Sequence, residues 1–393
     1  KDVVNRSQQM LGKDAAYVPG WDCHGLPIEW HIEQQYRKKG KDKDQVPIVS
    51  FRRQCRDFAD KWIGVQKSEF KRLGVLGDWD DPYTTMSFAA EAGIFEELAK
   101  FLLQGNLYRG HKSVMWSVVE KTALAEAEVE YHDHTSHTIW VKFPVVETSN
   151  PALQGAAVVI WTTTPWTMPA NRAVAFGEAI DYRLVEVTEV ADGSFARVGE
   201  RLVLAAELVD DVCAAARIGV TTVATFAGRD LAGTVLAHPL RPKGYDYGVP
   251  MLAGDFVTTE QGTGLVHIAP SHGEDDFELG ARHGLEVPDT VAEDGRYTAA
   301  VPGFAGIHVF EAHEPVIAAL IEAGALLARG RLVHSYPHSW RSKAPLIFRA
   351  TPQWFIAMDG EDRLRATALR AIAETRFVPA SGANRIRGMV ESR

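Results

Sequence analysis

The sequence is poor in cysteine, has no long apolar run and carries no excess of positive charge. Each lack removes a class of protein. Three cysteines, Cys23, Cys55 and Cys213, stand far apart in 393 residues. They make neither a disulfide framework nor a CxxC metal or redox pair, which points to a reducing, cytoplasmic setting. No apolar stretch approaches the ~20 residues that cross a bilayer, so no membrane partner is expected. The opening Lys1-Asp2-Val3-Val4-Asn5-Arg6 lacks the charged-then-apolar layout of an export signal and an initiator Met, so the chain is expected to begin within a longer protein. A formal charge of −9, from 42 Lys and Arg against 51 Asp and Glu, argues against a surface coated in positive charge. A local basic groove does not show in such a sum. Internal repeats and low-complexity tracts are also missing. At ~100–200 residues per domain the length implies two or three domains, large enough to bury several cores without staples.

What is present changes texture along the chain. The first third reads as helical. Phe51, Cys55, Phe58, Trp62 and Val65 form the stripe of an amphipathic helix that Gly74 stops. Phe88, Ile94, Leu98 and Phe101 mark a second helix, with Ser87 as N-cap and Gly105 past its end, and Glu29–Lys39 a shorter one. From Thr138 short β-prone runs follow: 139–146, 157–161, 183–187, 202–205, 220–226, 256–259 and 264–268. Helical patterns at 206–218 and 315–323 interrupt them, and 157–161, apolar on both faces, reads as an interior strand. The chain then alternates again, with strands at 331–335, 346–349 and 354–358 and a helix at 361–375. The simplest account is an α/β domain at both ends, 1–137 and 329–393, interrupted by a β-rich insertion at 138–328.

Four segments can carry chemistry. Pro19-Gly20-Trp21-Asp22-Cys23-His24-Gly25-Leu26-Pro27-Ile28-Glu29 is a constrained turn leading into a helix, a place where ligands sit in α/β domains. Asp22, an acceptor-only anion beside glycines, suits an ammonium group; on local features alone a turn with an Asx-type cap is the plainer reading. A thiol nucleophile or a metal at Cys23-His24 lacks any partner spacing. Trp161-Thr162-Thr163-Thr164-Pro165-Trp166-Thr167-Met168-Pro169-Ala170-Asn171-Arg172 brings hydroxyls out at a strand end, where with Asn171 they can hold a water or a sugar hydroxyl without charge. β-formers capping a turn would look the same. Gly262-Thr263-Gly264-Leu265-Val266-His267-Ile268-Ala269-Pro270-Ser271-His272-Gly273-Glu274-Asp275-Asp276 runs from a strand through a turn into a helix. Its acidic residues suit the first helical turn, yet His267 and Asp276 stand at two lips of one turn and can face a common pocket. It is no phosphate loop, because no Gly-Lys-Ser/Thr follows. The last segment, Tyr336-Pro337-His338-Ser339-Trp340-Arg341-Ser342-Lys343 with Arg349-Ala350-Thr351-Pro352-Gln353-Trp354-Phe355, sets aromatics among cations, as nucleic-acid contacts or as ordinary packing. His132, Asp133, His134 and His137 match no common zinc spacing and read as a solvated loop between domains.

In their order the four motifs resemble the isoleucyl-tRNA synthetases over essentially the whole chain. The valine enzymes have Pro-Gly-Thr-Asp-His-Ala-Gly at the first motif, and the leucine enzymes have Gly-Trp-Asp-Ala-Phe-Gly there and Thr-Thr-Arg-Pro-Asp-Thr in the insertion. This sequence follows neither. The resemblance implies a split class I Rossmann-type catalytic domain interrupted by an editing (connective peptide) domain. It implies a ligase that joins L-isoleucine to tRNA-Ile with ATP and Mg2+, releasing AMP and diphosphate, and that hydrolyses wrongly made valyl-tRNA. A hydrophobic pocket cannot strongly reject a substrate one methylene smaller, and isoleucyl-tRNA synthetase is the established example of a second, hydrolytic sieve. By resemblance, Asp22 holds the α-amino group of isoleucine and Trp354 walls its side chain. In the editing site Asp276 anchors the amino group of the mischarged valine and His267 bounds its side-chain pocket. Thr162, Thr163, Thr164 and Asn171 hold the terminal adenosine, the ester and the attacking water. Such a site works by positioning and electrostatics without a covalent nucleophile.

The departures from the family pattern shape the expectation. The His-Ile-Gly-His-type signature belongs before Lys1, and the Lys-Met-Ser-Lys-Ser loop and anticodon-binding helices belong after Arg393. The chain is therefore expected to be an internal piece, inactive in synthesis yet holding both editing motifs. Cysteine zinc ligands of some members are replaced by Ser117, Val118 and Ser339, so no zinc is expected in this segment. A monomer is expected by resemblance alone. A freestanding deacylase of mischarged tRNA, or a tRNA-binding module without catalysis, remain the alternatives; the net charge weighs mildly against the module.

Overall fold

A computed structural model describes residues 1–361 and 363–391. The chain divides into two compact units: one is made of Lys1–Gly110 with Trp354–Arg393, and the other, His111–Gln353, is inserted within it. The texture change seen at 138 and 328 falls inside paired strands of the inserted unit, so the compact unit reaches further out at both ends than the composition indicates.

The N-terminal part of the first unit is built on helices. It contains α1 (Asp2–Met10), α2 (Leu26–Lys38), α3 (Ile48–Arg72) and α4 (Phe88–Leu103). The apolar stripe of α3 packs on α2, where Phe58 stacks on His31 with ring centroids 4.4 Å apart. Ser87 caps α4 by accepting from the Ala90 N–H at 3.2 Å, as its position before the helix requires. Between these helices the two-residue strands β1 (Gly20–Trp21) and β2 (Tyr83–Thr84) pair in parallel.

The inserted unit is a mixed sheet. It holds β3 (Leu107–Ser117, which carries the chain in), β4 (Thr122–Ala123), β5 (Val129–Glu147), β6 (Ala157–Thr162), β7 (Ala173–Phe176), β8 (Asp181–Val190) and β9 (Arg201–Ala205). After helix α5 (Val209–Ala216) come β10 (Ile218–Ala227), β11 (Val235–Ala237), β12 (Gly248–Ala253) and β13 (Leu265–Ile268). Helices α6 (Glu274–His283) and α7 (His313–Glu322) precede β14 (Leu326–Ser339) and β15 (Ile347–Ile356). Ten strands join in the order β10-β8-β9-β6-β5-β11-β12-β7-β13, with β14 on β5. The β6–β9 and β12–β7 contacts are parallel and the other pairings antiparallel.

β6 is an interior strand, as its two apolar faces predict: Val158, Val159 and Ile160 are fully buried. Alternation sends Val158 and Ile160 into the main core with Ile139, Phe143 and Met168. Val159 faces a second core, with Leu202, Leu204 and the α5 residues Val209 and Val212. Gly264 opens β13 at φ +72°, and a Cβ there would come within 2.3 Å of Ala205 Cβ, so only glycine lets the strand start at this point. In the return to the first unit the helices are α8 (Leu364–Glu374) and α9 (Gly382–Glu391). The helix expected over 361–375 thus starts three residues later, and residue 362 lies outside the described residues. No helix of the described residues is long and apolar enough to cross a membrane.

Three sequence expectations are corrected. Residues 256–259 form turns, not a strand; Phe256 and Val257 reach the small core of Ala173, Ala175, Ile268 and Leu279 from a loop. The separate strands expected at 346–349 and 354–358 are one strand, β15, running through Pro352, whose exposed position tolerates the missing N–H. His132, Asp133, His134 and His137 are not a loop. They lie on β5 and pair with β14 in register, His134 opposite His334 and Asp133 opposite Ser335. The long-range partner makes the strand, because the tract itself is polar and carries no apolar alternation.

Candidate functional site

The hydroxyl run leaves β6 at Thr162 and turns into a short 3-10 segment, Pro165–Ala170, in which every residue is buried. Asn171 ends that segment and β7 follows. Antiparallel pairing of β7 with β13 sets His267 opposite Val174, and the Arg172 N–H closes the end by donating to Ile268 O at 2.9 Å. The pairing delivers a histidine from a hundred residues away to the end of the threonine run.

There it is held on both nitrogens. Asn171 Nδ2 lies 2.7 Å from His267 Nδ1, and Thr167 Oγ1 lies 3.0 Å from His267 Nε2. The Asn171 amide also donates to the carbonyls of Ala173 at 2.8 Å and Ile268 at 3.4 Å, which fixes the NH2 on that side. His267 Nδ1 is therefore an acceptor, and the ring proton sits on Nε2, donated to Thr167. Thr167 Oγ1 in turn donates to Thr164 O at 2.9 Å. Thr164 Oγ1 lies 3.2 Å from Thr167 Oγ1 and 3.1 Å from Thr162 Oγ1. Burial, with His272 nearby, pushes the His267 pKa down to about 3. Its lone pair is engaged and its Nε2 already protonated, so this imidazole cannot serve as a general base at neutral pH. It is neutral and held in place from both sides.

Asp276 occupies the other lip, in the first turn of α6. Its Oδ2 accepts the Ala269 N–H at 2.8 Å, tying the helix start to the residue just past β13. A Cβ at position 273 would lie 2.8 Å from the Asp276 Cγ, so glycine there makes room for the carboxyl. Burial raises the Asp276 pKa to about 7, with Asp275 adding to it and the Ala269 N–H opposing. A carboxyl so poised ionises readily when an ammonium group comes to it.

The structure thus joins Thr162, Thr164, Asn171 and His267 in one hydrogen-bonded network. Asp276 reaches the same strand end through Ala269 without bonding to that network. Thr163 and Thr164 line a cavity of about 310 Å3 with Trp166, His137 and His313. Sequence reasoning missed Thr167, the link between the hydroxyl run and His267. Its only signal was its place in the run, where the preceding triplet drew attention. It also left His272 and His238 without roles. Burial lowers both, to about 4 and about 3. His272 bonds Phe348 O at 2.9 Å and Thr290 Oγ1 at 2.7 Å, and His238 bonds Met168 O at 3.1 Å, bracing the buried 3-10 segment.

In the first unit Asp22 is exposed at the end of β1 and Trp354 is 65% exposed, with the Arg109 guanidinium 5.7 Å from its ring centroid. A cavity of about 500 Å3 beside Asp22 is lined by Cys23, His24, Ile28, Glu29 and Arg56 but not by Asp22 itself. Cys23 is buried, with its Sγ 3.4 Å from Trp21 O, and carries no nucleophile arrangement. At the positions compared with zinc cysteines, the Ser117 hydroxyl donates to the buried Glu120 carboxylate. Ser339 Oγ joins it at 2.9 Å and the Ser342 N–H at 3.0 Å. Among the described residues no group of His, Cys, Asp or Glu is placed to hold a metal ion.

A β-rich unit inserted into an α/β unit, with a hydroxyl run and a histidine turn meeting at one strand end, defines a class of protein that sequence comparison names. Residues 1–393 match the family described as tRNA synthetases class I (I, L, M and V), and the chain belongs to that family. More narrowly, it is 55% identical over 409 residues to the isoleucine–tRNA ligase of Gluconobacter oxydans and 56% over 417 to that of Caulobacter vibrioides. All of this chain is covered in both alignments, but only 42% and 43% of those relatives, so the chain spans less than half their length. A solved structure titled "The crystal structure of GlLeuRS-CP1" aligns with 49% of this chain and 99% of its own, at 13% identity and a TM-score of 0.39.

Proposed function

We propose that the chain is the part of a cytoplasmic, monomeric isoleucine–tRNA ligase that carries its hydrolytic proofreading site, with the inserted unit as the editing domain and the first unit as part of the catalytic domain. The observation that carries this reading is the neutral His267 locked between Thr167 and Asn171 at the end of the threonine run. A wall that can neither flex nor change charge suits a sieve that separates side chains by one methyl group. In this reading Asp276 takes the α-amino group of the mischarged valine. Thr162, Thr163, Thr164 and Asn171 hold the terminal adenosine, the ester and a water. The water attacks the ester carbonyl, the bond to the ribose oxygen breaks, and that oxygen takes up the proton. His267 is not the base, so the rate comes from holding water and ester in line and from donors around the developing oxyanion.

In the whole protein, ATP and L-isoleucine would be joined to tRNA-Ile by the first unit together with sequence outside this chain. Asp22, exposed and free of hydrogen bonds among the described residues, would hold the amino group of isoleucine, and Trp354 would wall its side chain. Mg2+ would enter with the ATP phosphates, neutralising their charge. Zinc has no role in this reading, because Ser117 and Ser339 spend their hydroxyls on Glu120. The test is deacylation by the isolated chain: valyl-tRNA-Ile should be hydrolysed, isoleucyl-tRNA-Ile spared, and Asp276→Ala should abolish the reaction. Equal hydrolysis of the two esters, or an unimpaired Asp276→Ala, would refute the assignment.

A further inference from the structure

A second hollow in the inserted unit, of about 500 Å3, shares no residue with the proofreading site. Val141 and Phe143 of β5 point into the main core, so alternation turns Lys142 between them to the opposite face, where Leu202 belongs to the second core. Lys142 is only 5% exposed, and its ammonium has one partner: Nζ lies 2.9 Å and 3.0 Å from the two carboxylate oxygens of Glu200. Two of its three N–H donors are thus engaged, and the third has no acceptor among the described residues. Both side chains line the hollow. A buried pair of this kind adds little to stability, because lost hydration costs the two ions about what their attraction returns. Stability therefore does not account for a lysine on a strand face whose other residues there are Trp140, Pro144 and Val146.

Two half-exposed arginines complete the charge. Arg201 Nε lies 3.0 Å from Glu186, and Arg241 Nε lies 2.7 Å from Asp246. Their terminal NH2 groups make no hydrogen bond among the described residues, which leaves the forks that suit a carboxylate open. Lys142, Arg201 and Arg241 line the hollow against the single carboxylate of Glu200, so it is positive in a chain of net charge −9. The rest of the wall is apolar, with Pro144, Val146 and Leu202 on one side. His238 closes another, kept neutral because burial lowers it to about 3.

We propose that this hollow binds a small organic anion, a monocarboxylate with a short branched apolar body. The carboxylate takes the free Lys142 N–H and the Arg241 fork, and the body packs on Pro144, Val146 and Leu202. The occupant follows from complementarity. An inorganic anion meets the cations but leaves the apolar wall wet. An uncharged aliphatic molecule covers that wall but leaves the buried Lys142 donor unpaired, and an amine is repelled. The volume is that of a small-ligand pocket with a few placed polar groups in an apolar lining. Nothing in this site depends on the proofreading reading.

The test titrates isovalerate into the full chain at pH 7 and follows the histidine ring protons by NMR. His238, neutral at that pH, should shift and saturate with a dissociation constant on the order of 1 mM, a fair affinity for so few atoms. His267 should not move, which separates this hollow from the proofreading site. Isovaleramide and inorganic phosphate should each bind at least about tenfold more weakly, and isopentylamine not at all. Lys142→Met combined with Glu200→Gln removes the donor without stranding a buried charge, and should weaken isovalerate at least about tenfold. Arg241→Gln should weaken it about threefold. Ala157→Leu leaves the ion pair intact and fills the hollow, so it keeps the proposal testable if the double variant does not fold; it should abolish the shift. No saturable shift of His238, a shift of His267 alone, equal binding of isovaleramide or phosphate, or unimpaired binding by Ala157→Leu would overturn the site.

Discussion

Thr167→Val is the most informative single change in the network, because it alters hydrogen bonding at nearly constant volume. In the native chain Thr167 Oγ1 accepts from His267 Nε2–H at 3.0 Å and donates to Thr164 O at 2.9 Å. Valine removes both bonds and the 3.2 Å contact with Thr164 Oγ1. Thr164 O keeps the Thr167 backbone N–H, also at 2.9 Å, and Thr164 Oγ1 keeps Thr162 Oγ1. The His267 N–H alone is left buried without an acceptor. One orphaned buried donor costs about 1–3 kcal/mol, so the variant should lose that much stability in urea melts followed by tryptophan fluorescence. The imidazole, freed on one side, should also reorient, and discrimination between valyl and isoleucyl esters should fall by about tenfold or more at about 1.4 kcal/mol per factor of ten. If Thr167→Val is as stable and as selective as wild type, His267 is not held through Thr167 and the network has been misread.

Further predictions concern charge. In the folded chain Asp276 keeps its proton up to about pH 7, while in the unfolded chain it releases it near 3.8. What Asp276 contributes to stability is therefore lost as pH rises from about 4 to 7, and Asp276→Asn, which cannot ionise, should be more stable than wild type at pH 8 by on the order of 4 kcal/mol and no more stable at pH 4. Valyl-ester binding should be weaker below pH 7, where the carboxyl is protonated. His238, His267, His272 and His313 run the other way: all are pushed down to between about 3 and about 4, so each takes a proton on unfolding below pH 6.5. Set against the one proton Asp276 gives up, this leaves a net uptake of about three, and stability should fall by on the order of 4 kcal/mol per pH unit between pH 6 and 4.5. A flat profile there would contradict the buried, neutral imidazoles. Glu120→Ala removes the common acceptor of Ser117, Ser339 and Ser342, and should cost about 3 kcal/mol or more in urea melts.

Much of the architecture was legible because it is local. The stripe of α3, the cap at Ser87 and the two apolar faces of 157–161 depend on neighbours within a few residues, and all three hold in the structure. The failures share a cause in distance. The polar tract at His132–His137 becomes a strand only through β14, some 200 residues on, and Pro352 sits within a strand because its exposed position needs no donor. At the site, the hydroxyl run and the histidine turn were visible as motifs, and their meeting was inferred. Which threonine makes the contact was not legible, because the buried 3-10 segment turns Thr167 inward and leaves Thr163 at the cavity wall.

The most direct measurement of the central claim is the esterase specificity of His267→Ala. Replacing the fixed imidazole by a methyl group opens the wall by more than the extra methyl of isoleucine needs, without removing any group proposed to hold the water, the ester or the amino end. The account predicts that this variant hydrolyses isoleucyl-tRNA-Ile at a rate approaching its rate on valyl-tRNA-Ile. Isoleucyl-tRNA-Ile that stays intact while valyl-tRNA-Ile is still cleaved would contradict it, and would place the sieve elsewhere in the chain.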